Sequence, residues 1–143
     1  MSRDPHKLRV FHLADALVLD IYKSTKDFPA EERYGLQAQT RRAAVSSAAN
    51  IVEGCARRSL GEYVNFLNIA AGSACEMAYL LSVAHRLQFL PDACNEDLAP
   101  RCAHLSKSLI RLIASLDAKL PQSPTPKAES PKPKAKSHLE PKA

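Results

Sequence analysis

A chain of 143 residues has room for one domain with an appended tail but not for a second core, and its 45% hydrophobic and 24% charged content is that of an ordinary globular protein. Only 4 glycines and no tryptophan exclude a turn-rich all-β design, so the expected class is all-α. The net charge is +5, but residues 121–143 hold five Lys against two Glu, which leaves the body near neutral and blunts any nucleic-acid reading of the overall charge.

The first helix is expected from about Val10 to Lys26, where Leu13, Leu17 and Ile21 and the adjoining row of Ala14, Val18 and Tyr22 repeat at i, i+4. Residues 1–9 ahead of it read as a flexible N-terminus. Phe28-Pro29 stops that helix and, with Glu31 and Glu32 following, opens a second near Pro29, because proline suits a first helical turn and acids suit its positive end. Plotted at about 100° per residue, the second helix carries a polar stripe of Gln39, Arg42, Ser46, Asn50, Glu53 and Arg57. The rest of its girth is Leu36, Ala38, Ala43, Ala44, Val45, Ala48, Ala49, Ile51 and Val52. A helix apolar around most of its circumference is packed on more than one side, which in a small bundle points to a neighbouring subunit.

Gly54 ends that helix, and Ser59-Leu60-Gly61-Glu62 has the capping-box form that opens a third. From Tyr63 to His85 the one formal charge is Glu76, an apolar length that could span a bilayer; Asn65, Asn68, Ser73, Glu76 and Ser82 argue against a membrane. Gly72, in the run Ala70 to Ala74, predicts a close approach of another backbone, since glycine in mid-helix costs about 1 kcal/mol relative to alanine. After Pro91 and Asn95, Leu98, Cys102, Leu105, Leu109, Leu112, Ile113 and Leu116 trace a fourth helix, with Pro100 expected in or just after its first turn. Residues 10–120 thus predict an antiparallel up-down-up-down four-helix bundle, and residues 121–143, with six prolines, a disordered basic tail.

The chemistry-bearing residues are few. Arg41, Arg42, Arg57 and Arg58 could form a basic groove that grips phosphates, while Gln39, Ser46, Asn50, Glu53 and Glu76 read as a structural polar network that fixes helix register. Glu53 and Glu76 could pair as acid and base, but no Glu-x-x-His motif, Walker loop or G-x-G-x-x-G loop accompanies them, so no enzyme is expected. The cysteines at 55, 75, 94 and 102 lack a C-x-x-C pair, and no leader-like apolar run opens the chain; reduced thiols in a cytoplasmic protein follow. Cys94, Cys102 and His104 are not spaced as zinc ligands, and the cysteines are expected as buried small side chains, with neither metal nor cofactor.

Phe28-Pro29 with Glu32, Tyr34-Gly35-Leu36 with Gln39, the run Arg41 to Gly54 and the run Glu62 to Glu76 together resemble a bacterial family of four-helix bundle proteins encoded within intervening sequences of 23S ribosomal RNA genes. Ser47 and Ala74 are smaller than the aliphatic residues usual there, and the tail after Leu120 lies outside the likeness. The resemblance implies a ring-forming bundle, a homopentamer, without an assigned biochemical activity. It also implies kinship in fold with the accessory variability determinant of diversity-generating retroelements, which binds nucleic acid and a reverse transcriptase through a basic surface. The function expected is therefore that of a non-enzymatic oligomer, a scaffold or nucleic-acid-associated accessory protein partnered with RNA or DNA. A ring that holds a partner protein, such as a reverse transcriptase, is the alternative.

Overall fold

The structure, a computed structural model, describes residues 3–122. Among these residues there are four α-helices and no strand: α1 (Arg9–Ser24), α2 (Leu36–Cys55), α3 (Leu60–Arg86) and α4 (Asp92–Asp117), with short 3-10 turns at Pro5–Lys7 and Ala30–Glu32. The all-α expectation holds. α1 packs on α2 and α4, and α3 packs on the same two helices, around one core that includes Leu17 and Ile21, Ala44 and Ile51, Leu67 and Met77, and Leu105 and Leu109. Helix neighbours run in opposite senses: Ser46 meets Ser73 while Gly54 lies against Phe66, and Cys75 faces Ser106 while His85 bonds Asp92. The tail expected to be disordered lies, from residue 123 on, outside the described residues.

The helix ends show how local chemistry departs from periodicity. Ser59 and Glu62 form the reciprocal capping box at the start of α3, as their spacing predicted. α2, however, begins at Leu36 rather than near Pro29. Pro29 leads into the Ala30–Glu32 turn, and the carboxylate of Glu32 reaches forward to accept the Leu36 backbone N–H at 2.8 Å. Gly35 leaves room for that carboxylate, since a Cβ there would sit 2.6 Å from Glu32 Oε2. α4 starts at Asp92, several residues before the expected point, and so takes Pro100 into its interior. The missing N–H leaves the carbonyl of Glu96 without its helical donor, and both residues lie on the exposed side of the helix, open to solvent. α3 ends with Gln88 in the left-handed region (φ 65°), its N–H bonding His85 and that of Phe89 bonding Ala84, a Schellman closure without the usual glycine.

The N-terminus is tied to the bundle from Arg3 onward instead of fraying. Arg3 donates its backbone N–H to the Cys55 carbonyl at 3.0 Å and a guanidinium N–H to the Arg57 carbonyl at 3.2 Å, and it covers the Tyr63 ring at 4.2 Å. A second cross-link joins α1 to α4, where Arg101 donates to Asp20 and to Asp97, each at 2.7 Å. Partial burial works against the Arg101 charge, but the bonds to the two carboxylates outweigh it and raise the pKa.

α3 is, by length and composition, apolar enough to cross a membrane. Much of that apolar character lies in the core, where Leu67, Ala70, Ala74 and Met77 are buried. Gly72 does not mark a close approach among the described residues: a Cβ there would meet nothing of them within 4 Å. The close approach is at Gly54, where a Cβ would stand 3.0 Å from Phe66 Cβ and 3.1 Å from Tyr63 Cδ2.

Candidate nucleic-acid interface

The four arginines singled out in the sequence do not share one groove. About 20 Å of helix, at about 1.5 Å per residue, separates the Arg41-Arg42 end of α2 from the Arg57-Arg58 end. Arg57 is committed to the fold: it bonds Glu53 one turn back and lies over Phe66 at 4.9 Å, and its buried Nε has no hydrogen-bond partner among the described residues. Arg58 is exposed.

Arg41 and Arg42 instead line an open groove of about 640 Å³ with Tyr22, Lys26, Arg33, Tyr34, Gln37 and Ala38. α1 contributes Tyr22, the connection after it contributes Lys26, Arg33 and Tyr34, and the first turns of α2 contribute the rest. Sequence reasoning missed Tyr22, which it assigned to the core, and Lys26, Arg33 and Tyr34. Tyr22 lies outside because Ala14, Leu17 and Ile21 already fill the core face of α1. The available signal was the aromatic and basic pair Arg33-Tyr34 eight residues before Arg41-Arg42.

Arg41 is held in place from three sides. Its Nε donates to Thr25 Oγ1 at 2.9 Å, its Nη2 donates to the Tyr22 carbonyl at 3.1 Å, and its guanidinium covers the Tyr22 ring at 4.6 Å. Thr25, fully buried at the end of α1, spends its own hydroxyl proton on the Ile21 carbonyl at 2.7 Å. Gln37 closes the wall by donating to the Thr25 carbonyl at 2.8 Å. Among the described residues, Lys26, Arg33, Arg41 and Arg42 make no salt bridge, and the groove lining holds no carboxylate. Four cations thus line one groove with no carboxylate in its lining, an arrangement suited to a polyanion.

Residues 6–111 match the family described as 23S rRNA-intervening sequence protein. The chain belongs to this family. The matched span takes in the whole groove and all three helix junctions and stops short of the tail. A similar solved structure is that of a protein with unknown function from the S23 ribosomal protein family of Bacteroides thetaiotaomicron VPI-5482. It is 25% identical, covers 73% of this chain and 95% of its own, and superposes with a TM-score of 0.68. No curated protein matches the chain. No enzyme family is indicated by these likenesses.

The polar stripe of this family member is half-buried at Ser46 and Asn50, beside α3, and exposed at Gln39, Arg42 and Glu53. Ser46 and Ser73 share a hydrogen bond at 2.7 Å, and Asn50 donates to the Ser46 carbonyl at 2.8 Å and to its hydroxyl at 3.0 Å. Gln39, Arg42, Ser46 and Glu76 line a second, smaller groove of about 400 Å³ beside the first, with Arg42 common to both. Glu53 lies farther along α2 with Arg57, so it does not face Glu76.

The thiols divide. Cys55 and Cys102 are buried, Cys94 is half-buried and Cys75 is exposed, contrary to the expectation that all would be enclosed. Burial pushes the Cys102 thiol up to about 11, which keeps it protonated at neutral pH. Burial also raises Cys55, against the pull of Arg3. His104 points away from Cys102 toward Arg9, and no group of three or more metal-binding side chains gathers among the described residues.

Proposed function

We propose that this protein is a non-enzymatic, cytoplasmic oligomeric scaffold that holds RNA or DNA in the groove at the α1–α2 end. The observation that carries this reading is the set of Lys26, Arg33, Arg41 and Arg42 around one groove, none of them in a salt bridge among the described residues. If four phosphates are neutralised there, the affinity for a single-stranded oligonucleotide drops about 50-fold between 50 and 200 mM salt, at a slope of about −0.7 per phosphate. The full chain with Arg33→Glu and Arg42→Glu is expected to lose most of that binding and most of the salt slope, while Arg58→Glu, at the far end of α2, leaves both unchanged. Retention of full binding by the double variant would place the contact elsewhere, on the tail or another face.

Assembly is supported by a second surface. The outward side of α2 carries Ala49, Val45 (40% exposed) and Val52 (43% exposed), and α3 exposes Ile69, Gly72 and Tyr79. Those on α2 belong to the apolar girth that the sequence showed, and the structure leaves the whole set exposed among the described residues. A ring of five, the assembly that the family likeness implies, would bury them against neighbouring copies. Gly72 offers the discriminating variant. On a free helix surface Gly72→Ala stabilises by up to about 1 kcal/mol; at a seam where another backbone approaches, the added methyl weakens association. The expected result is weaker association by sedimentation velocity, and a monomeric wild type at micromolar concentration would refute the assembly.

A further inference from the structure

We infer that the groove is built for unpaired nucleic acid, with one base stacked on Tyr34 while the flanking phosphates sit on Lys26, Arg33 and Arg42. This rests on the nucleic-acid reading of the groove above and adds which form of nucleic acid it selects. Tyr34 is 87% exposed, the most exposed large hydrophobic side chain among the described residues. A lone surface aromatic is common and needs no function. Tyr34 differs in its position on the wall of a cationic groove and in its free ring: the other groove tyrosine, Tyr22, already carries the Arg41 guanidinium, whereas no aromatic or cationic group stacks on Tyr34 among the described residues.

The chemistry of the two walls is complementary. A base in a duplex has both faces covered by its neighbours, so a duplex can offer this groove only its phosphates. A single strand, loop or bulge presents open base faces as well, and an aromatic side chain between cations is the usual means of holding one. Arg41 adds rigidity. Fixed by Thr25 and Tyr22, it gives the groove a cationic wall whose ordering is complete before any ligand arrives.

The absence of tryptophan from the chain makes the test direct. In the Tyr34→Trp variant the new indole is the sole tryptophan, and its fluorescence reports stacking. Three probes of equal length are titrated at low salt: an unstructured oligouridine, a blunt duplex and an abasic single strand. The single strand is expected to quench the indole and the other two to leave it bright. Tyr34→Ala is expected to weaken oligouridine binding about tenfold, with duplex and abasic binding unchanged and Tyr34→Phe restoring most of the loss. Equal binding of all three probes, with no effect of Tyr34→Ala, would overturn the single-strand assignment yet leave a phosphate-binding groove intact. Binding of none of the probes removes the nucleic-acid reading itself, and polyglutamate binding as tightly as oligouridine reassigns the groove to acidic peptides.

Discussion

Gly54→Val is expected to lower the stability of the folded chain by about 3 kcal/mol, read as a drop in urea midpoint at unchanged slope. Gly54 is in the last turn of α2, and a Cβ there would stand 3.0 Å from Phe66 Cβ, 3.1 Å from Tyr63 Cδ2 and 3.3 Å from the Tyr63 carbonyl oxygen. None of these atoms is the free end of a flexible side chain. Tyr63 is 2% exposed and lies beneath the Arg3 guanidinium, and Phe66 lies beneath that of Arg57. The two further methyl groups of valine therefore have to push α3 away from α2. Alanine is a milder test: its better helix propensity, worth about 1 kcal/mol, offsets part of the crowding, so Gly54→Ala is expected to cost less than half as much. A valine variant within about 0.5 kcal/mol of wild type, the range usual for inconsequential surface changes, would show that the two helices part easily there.

The same glycine shows what a sequence can disclose. The break after it was legible, since a capping box that depends only on neighbours three residues apart follows, but Gly54 is not the terminator: α2 runs through it to Cys55, and it has no left-handed φ. Its role as the site of helix contact was not legible, and close packing was expected at Gly72 instead. Mid-helix position reveals that a glycine costs something, whereas the identity of the atoms opposite depends on how two helices are paired. The polar stripe divides in the same way: its members followed from the helical repeat, but Ser73, which lies on another helix, became visible as the partner of Ser46 only in the fold. The groove was half legible. Arg42 stood out on the helical projection and Arg41 as its basic neighbour; Tyr22 comes from the end of α1, and Lys26, Arg33 and Tyr34 from the connection of residues 25–35. That path is set by the Ala30–Glu32 turn and by one carboxylate bonding Leu36, not by any periodic pattern.

Thr25→Val tests whether this connection serves the groove as well as the fold. Valine matches threonine in shape and removes only the hydroxyl. The Ile21 carbonyl loses little, because it keeps the Thr25 backbone N–H at 3.0 Å. Arg41 loses the acceptor of its Nε, and a hydrogen bond involving a charged group is worth about 1.5–3 kcal/mol. Arg41 is partly exposed, so water recovers some of that, and the expected loss of stability is at the lower end, about 1.5 kcal/mol. The second readout is binding. Released from Thr25, the guanidinium must be ordered when a ligand arrives, a cost of about 0.5–1.5 kcal/mol for one long side chain, or about two- to twelve-fold in affinity. Thr25→Ser, which keeps the acceptor, is expected to restore affinity even where packing is slightly loosened. Loss of stability with unchanged oligonucleotide affinity would mean that Arg41 serves only to anchor α1 to α2. A parallel loss, rescued by serine, ties the buried hydroxyl at the end of α1 to the cation it positions in the groove.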